Sequence, residues 1–278
     1  MNWKDKYLKY KLKYIQLIQQ INKKNLDLDG GGNGGRNGGG NGGGNGGENS
    51  RRDKKWVEVW ETWSDYLATL NKMDNTVNDK GKKNCDYIYD IFRGIKEKDF
   101  LMCVTKEFII LPSAAKPFDQ VDKTRFNLLV MPFDKKLRTI RDLNSSHIPL
   151  LNRMVQKVYQ VLDYYLGSYD KNNITFEFHY TPSTYHLHLH CQFNPLPHNI
   201  DKRHFYYSID EVIRNLNSNT NFYLRPIKIR VKNIKEWKNM IKKYSIKKGE
   251  KFVSGSDVED FTNAYKNFID LDCYKLFN

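Results

Sequence analysis

Apolar residues recur along this chain at two periods, and the change of period from stretch to stretch predicts its elements. Trp3, Tyr7, Tyr10, Tyr14, Leu17 and Ile21 stand four and three apart with lysines on the other faces, which predicts an amphipathic helix over residues 2–22. Trp56, Trp60 and Trp63 fall at i, i+4 and i+7, so a second helix is expected to carry three indoles along one face turned to the core, with base stacking as the other use of such a row. A helix around residues 85–97 follows, then Phe100–Val104 and Glu107–Pro112 as a short strand pair and Phe126–Phe133 as a buried strand. Ser145 stands where an N-cap belongs for a helix running to about Leu166, with Ile148, Leu151, Val155, Val158 and Leu162 as its apolar stripe and Gly167 as its stop. Thr175–Tyr180 and His186–Phe193 read as paired strands around a Thr-Pro-Ser-Thr turn. Ser208–Leu216 is a short helix, Ile227, Ile229 and Val231 alternate with Lys and Arg as a half-buried strand, and Asp257–Phe268 closes with a helix. Strands clustered with helices in this order imply an α+β domain, an antiparallel sheet with helices on one side.

Between Gly30 and Gly47 the pattern disappears into almost pure Gly and Asn, a coil that has no apolar surface to bury and reads as a disordered tether. No strand precedes it and no Gly-Lys-Ser/Thr follows, so it is not a phosphate-binding loop. The expected organisation is a Lys/Tyr-rich helix over residues 1–28, a linker over 29–50 and a folded domain over 51–278.

The 278 residues are 39% hydrophobic and 14% aromatic, enough for a sizeable core. A formal net charge of +14 favours anionic partners such as nucleotides or RNA, although a genome rich in A and T yields the same abundance of Lys, Asn, Ile and Tyr. The scattered cysteines Cys85, Cys103, Cys191 and Cys273 include no CxxC pair, which speaks against a disulfide framework or a thiolate zinc site and fits a reducing compartment. No signal sequence or membrane span is offered, so a soluble cytoplasmic protein without a membrane partner is expected.

Four of the seven histidines fall in one segment, at His179, His186, His188 and His190. On a strand, His186, His188 and His190 would project together while Leu187, Leu189 and Cys191 turn to the core. Such a wall has two chemical uses. A neutral imidazole, its tautomer fixed by a hydrogen bond at the other nitrogen, can attack phosphorus while its neighbours hold phosphate oxygens. Alternating histidines can also ligate a metal, zinc above all, but no Asp or Glu lies close in sequence to complete the set.

His186-Leu-His-Leu-His-Cys-Gln192 resembles the histidine-triad pattern His-φ-His-φ-His-φ-φ, with Gln192 in place of the last apolar residue. His179 seven residues earlier, the Tyr-Thr-Pro-Ser-Thr-Tyr turn, and Leu137-Arg-Thr-Ile-Arg-Asp-Leu143 running into His147-Ile-Pro-Leu-Leu151 resemble the scavenger mRNA decapping enzymes in particular, from about Asp86 to Phe193. The Lys/Tyr-rich opening is similar to that of many giant-virus proteins, which would put the protein in host cytoplasm or in the particle. The family resemblance implies a histidine-triad fold with a catalytic core at about 86–235, a homodimer, and hydrolysis of the 5'-5' phosphoanhydride of 7-methylguanosine-capped dinucleotides or short capped RNA. His188 would be the nucleophile, His186 and His190 would orient it and bind oxygens, His179 would assist at the phosphates or leaving group, and Ser183 would hold the phosphate chain. Tyr87 and Glu97 would stand where the family's cap-stacking Trp and acidic residue stand, and Lys116 where it keeps a Lys. Neither metal nor other cofactor is implied. The cellular enzymes carry a swapped N-terminal domain where this chain has only residues 51–84 ahead of the core. A broader histidine-triad nucleotide hydrolase, a metal hydrolase and a non-catalytic cap- or RNA-binding module remain alternatives.

Overall fold

In the computed structural model, which describes residues 56–197, 203–247 and 261–265, the alternating run Phe126–Pro132 forms the central strand. The expected helix over 2–22 and the Gly/Asn linker lie outside the described residues. In chain order the strands are β1 (Val57–Glu61), β2 (Cys103–Val104), β3 (Phe108–Pro112), β4 (Phe126–Pro132), β5 (Ile174–Tyr180), β6 (Leu189–Phe193), β7 (Phe205–Ser208) and β8 (Ile227–Val231). The α-helices are α1 (Trp63–Asn75), α2 (Asp86–Phe92), α3 (Ile148–Leu166), α4 (Ile209–Ser218) and α5 (Ile234–Tyr244). Six strands make one sheet in the order β2-β3-β4-β6-β5-β7, and β1 with β8 makes a separate ribbon. Every pairing is antiparallel, so the α+β architecture is as expected.

The strand period of two divides the side chains between the sheet's faces. Phe108, Ile110, Leu128, Val130, Phe176, Phe178, Leu189 and Cys191 join Leu151, Met154, Val158 and Leu162 of α3 and Val212 and Leu216 of α4 in the main core. Each fully buried large aliphatic side chain there contributes roughly 1.5–3 kcal/mol. Ile109, Leu111 and Met131 point to the opposite face, where Ile88, Ile91 and Phe92 of α2 cover them together with Phe261 and Tyr265. Helices therefore lie on both faces, not on one, because β3 and β4 are apolar on both sides. The rest of that second face, over β4, β6, β5 and β7, carries Asn127, His190, His179 and Tyr206, and among the described residues no helix packs on it.

Several boundaries differ from expectation for local reasons. The three tryptophans do not share a helix. Val57-Glu-Val-Trp-Glu61 alternates and pairs with β8, and Thr62 then caps α1 through a capping box with Asp65. The helix expected over 85–97 stops at Phe92, two residues before Gly94 at φ 67°. Asn144, not Ser145, makes the side-chain cap, accepting from the Ser146 amide at 2.9 Å in a 3-10 turn that leads into α3. The helix ends at Gly167 as expected, at φ 68°. β1, β7 and α5 were not foreseen, and of the closing helix only Phe261–Tyr265 is described, as a 3-10 turn. Cys85 and Cys191 are free thiols, whereas Cys103 is disulfide-bonded, a departure from four free thiols. No described helix is long and apolar enough to cross a membrane.

Candidate active site

The stretch from His186 to His188 does not continue β6, which begins at Leu189. Two bonds pull it out of the ladder. The His186 ring nitrogen Nε2 donates to the Pro132 carbonyl at 2.7 Å, and the Leu187 amide donates to the Leu137 carbonyl at 2.8 Å. Strand alternation therefore places only His190 of the triad, and the other two rings depend on these anchors. The apolar partners Leu187, Leu189 and Cys191 do point into the core.

His186 is wholly buried, edge-on to Phe92 and Tyr89 at 5.1 and 5.8 Å between ring centres. Burial pushes its pKa down to about 3, against a smaller upward pull from the Pro132 carbonyl. Its ring is thus neutral, with the proton on Nε2. The His186 carbonyl accepts from His188 Nδ1 at 2.7 Å, so the proton of a neutral His188 sits on Nδ1 and a lone pair remains on Nε2. Burial, together with the nearby His204, lowers the His188 pKa, and the bond to the His186 carbonyl opposes this in part.

Around His188 the other imidazoles form a stack. His190 lies at 5.0 Å from His188, edge to face, and at 3.8 Å and 11° from His179. His204 lies a further 5.4 Å from His179 at 21°, its Nδ1 donating to the Thr181 carbonyl at 2.6 Å. Asn127 Nδ2 donates to His190 Nδ1 at 3.0 Å, which leaves the proton of a neutral His190 on Nε2, a buried donor with no hydrogen-bond partner among the described residues. Burial first, then the adjacent imidazoles, hold the His190 pKa well below the ordinary imidazole range.

His179, His186 and His188 border a small cleft of about 10 Å³ with Arg138, Thr139, Ile140 and Pro182. That volume holds about one water molecule, so the cleft by itself is too small for a nucleotide. Arg138 brings a buried positive charge to the cleft wall: Asp74 holds its guanidinium at 2.7 and 3.1 Å, and its Nε donates to the Tyr185 carbonyl. Asn84 fastens the turn over the cleft, donating to the Ser183 carbonyl at 3.0 Å and accepting from the Tyr185 amide at 2.6 Å. Among the described residues no group of three His, Cys, Asp or Glu side chains is arranged to hold a metal.

The structure thus brings together His179, His188 and His190, with Ser183 exposed on the turn and His186 behind them. Tyr87 and Glu97 meet each other, the Tyr87 hydroxyl donating to the Glu97 carboxylate and Lys96 lying 4.6 Å above the ring, but neither borders the cleft. Tyr87 is 47% exposed, and its hydroxyl is pushed up to about 12 by desolvation and then by Glu97. Lys116 follows β3 in a loop and does not border the cleft. His204, Asn127, Arg138 and Asn84 were not singled out from sequence. Only His204 left a signal, since Phe205-Tyr-Tyr-Ser208 reads as a strand and its pairing with β5 sets Tyr206 opposite His179.

Residues 86–206 match the family model described as scavenger mRNA decapping enzyme C-term binding. The chain is similar to proteins named m7GpppX diphosphatase: 36% identical over 83 residues in Schizosaccharomyces pombe, covering 30% of this chain and 26% of that protein. The one from Ascaris suum is 28% identical over 182 residues, covering 63% and 57%. The one from Bos taurus is 26% identical over 176 residues, covering 60% and 49%. The chain spans about half the length of the latter two.

Proposed function

We propose, from the match of residues 86–206 to the scavenger mRNA decapping family model and from the similarity to proteins named m7GpppX diphosphatase, that this chain is a scavenger-decapping-type enzyme that hydrolyses the 5'-5' phosphoanhydride of 7-methylguanosine-capped dinucleotides or short capped RNA. The observation that carries this reading is the tautomer of His188: with Nδ1–H committed to the His186 carbonyl, Nε2 is an uncharged lone pair beside three further imidazoles. In the proposed reaction that lone pair attacks the phosphorus next to the methylguanosine. An N–P bond forms, the P–O bond to the remaining phosphates breaks, and the leaving oxygen takes up a proton. Water then cleaves the N–P bond, returning the electron pair to Nε2 and releasing 7-methylguanosine monophosphate.

Each neighbour has a defined part in this scheme. His190 Nε2–H donates to a phosphate oxygen, held in that tautomer by Asn127. His179 donates to the phosphates or leaving group, and Ser183 holds the phosphate chain from the turn that Asn84 secures. His186 acts by holding its own carbonyl against His188 rather than by touching substrate. Tyr87 stacks on the positively charged methylguanine, with Glu97 at its edge and Lys116 toward the phosphates. This reading makes residues 51–278 the decapping-like domain, about 86–235 its catalytic core, and 1–28 and 29–50 an appended helix and tether. It also makes the protein a cytoplasmic homodimer.

The test is incubation with methylated cap dinucleotide, unmethylated cap dinucleotide and a dinucleoside polyphosphate. The expected outcome is 7-methylguanosine monophosphate from the methylated cap, with a radiolabelled phosphohistidine trapped on His188. Equal rates on all three substrates point to the broader histidine-triad hydrolase, and cap binding by folded protein with no product at all overturns the enzymatic reading.

A further inference from the structure

The β1–β8 ribbon turns Val59, Glu61, Ile227 and Ile229 inward, which leaves Trp56, Glu58 and Trp60 with Lys228, Arg230 and Lys232 on its outer face. That face is aromatic and basic together. Trp60 is 61% exposed, an unusual state for an indole, with Lys228 Nζ 5.6 Å above it. Lys232 lies 5.2 Å above Trp56, and the Arg230 guanidinium lies 4.2 Å above the Phe205 ring. Glu58 is shared between Lys228 and Arg230 at 3.4 Å each, too little negative charge to neutralise the surface. The chain continues into α5, and from Lys228 to Lys247 it has eight Lys and Arg against the single Glu236. Arg51-Arg-Asp-Lys-Lys55 precedes Trp56 in sequence.

We propose that this outer face, Trp56, Trp60, Lys228 and Lys232 above all, binds the chain of a single-stranded RNA. The partner follows from the chemistry of the surface. The excess of cations calls for a polyanion, and the exposed Trp60 with the half-buried Trp56 calls for planar faces; a single-stranded nucleic acid supplies both, whereas an acidic polypeptide supplies only the first. A second copy of this face would bring like charges together. Trp56 and Trp60 are four residues apart on an extended backbone, roughly 13 Å, which suits two separate bases rather than one base held between rings. The face also reaches the histidine stack: Arg230 Nη1 donates to the His204 carbonyl at 3.0 Å, and the His204 ring lies against His179. The inference rests on the cap-hydrolase reading for the end of the RNA at the histidines, and it narrows the substrate class to capped oligomers over the bare dinucleotide.

The test uses the full chain and an uncapped, dye-labelled RNA of about ten nucleotides, with binding read by anisotropy at about 50 and about 200 mM salt. Wild type should bind at the lower salt and lose affinity steeply at the higher. Trp60→Ala should weaken binding about tenfold, Trp60→Phe should restore most of it, and Lys232→Ala should reduce the salt slope by about one. Near-UV circular dichroism confirms that each variant is folded. No binding at low salt overturns the proposal, as does equal affinity of folded Trp60→Ala and wild type. So does loss of a dimer in Trp60→Ala with RNA affinity unchanged, because a second copy would then cover the face. Because the RNA is uncapped, the two readings fail separately: cap hydrolysis without RNA binding sinks this one alone, and RNA binding without cap hydrolysis sinks the other alone.

Discussion

The lone pair on His188 Nε2 depends on one backbone carbonyl, that of His186, and on a pKa that burial keeps below the ordinary imidazole value. Removing the nucleophile by His188→Asn should lower kcat by on the order of 10⁴-fold or more, with cap affinity retained in equilibrium titration. Because burial lowers the His188 pKa, the acid limb of kcat/KM should be centred below the usual imidazole value of about 6.5. An acid limb centred at or above that pH would refute the burial argument. Linkage gives the matching effect on stability. In the unfolded chain His186 titrates near 6.5, while in the folded protein it resists protonation to about 3. Its contribution is therefore complete above about 6.5 and declines as pH falls toward 3, by about 1.4 kcal/mol per pH unit for each such group. Urea midpoints measured between neutral and acid pH should fall steeply, and His186→Leu should flatten that fall by one group.

At the scale of elements, the turn between β5 and β6 does the positioning. Asn84, ahead of α2, is bonded to both the Ser183 carbonyl and the Tyr185 amide. Asn84→Ala should loosen the turn that orients the phosphate chain, reducing kcat/KM about tenfold while the melting temperature drops by only a few degrees. Rescue by Asn84→Asp, which keeps the acceptor for Tyr185 but not the donor for Ser183, would tell which bond matters. Helix α3 is a simpler case. Gly167 ends it at φ 68° with open space where a Cβ would stand, so Gly167→Ala meets backbone strain alone and should cost about 1–2 kcal/mol. Leu162→Ala, at the fully buried centre of the stripe, should cost about 2–5 kcal/mol in the same denaturation experiment.

At the scale of the whole described domain, a buried polar network joins the ribbon to the sheet. Glu61 of β1 accepts from the Tyr180 hydroxyl of β5 and faces Arg141 at 3.9 Å, with all three side chains almost fully buried. Desolvation raises the Glu61 pKa to about 7, more than Tyr180 and Arg141 lower it. Arg141 also lies over Trp63 and Tyr66 at 5.5 and 5.4 Å, so one cation holds β1, α1 and the 3-10 turn at Ile140–Asp142 in place. Glu61→Ala would leave that cation buried without its carboxylate and should destabilise the domain by about 3–5 kcal/mol, read from urea midpoints at a pH above the raised Glu61 pKa, where the wild-type side chain is ionised.

Local pattern alone was enough for β4, α3, α4 and β8, whose apolar periods match the faces they bury, and for setting His179 beside His190, since the pairing of β5 with β6 brings sequence neighbours on a hairpin together. It was also enough to carry the family resemblance, because the triad and its turn are contiguous. The tryptophans misled because spacing at i, i+4 and i+7 is read the same way whether the chain is helical or changes from strand to helix at Thr62. Contacts between distant segments lay beyond any local pattern. His186 is drawn from the strand by the Pro132 carbonyl, His204 is set beside His179 by the pairing of β7, and Arg138 reaches the cleft through Asp74. Each is a bond between residues far apart in the chain, and a window of neighbouring residues holds no record of which distant partner the packed core will place within reach.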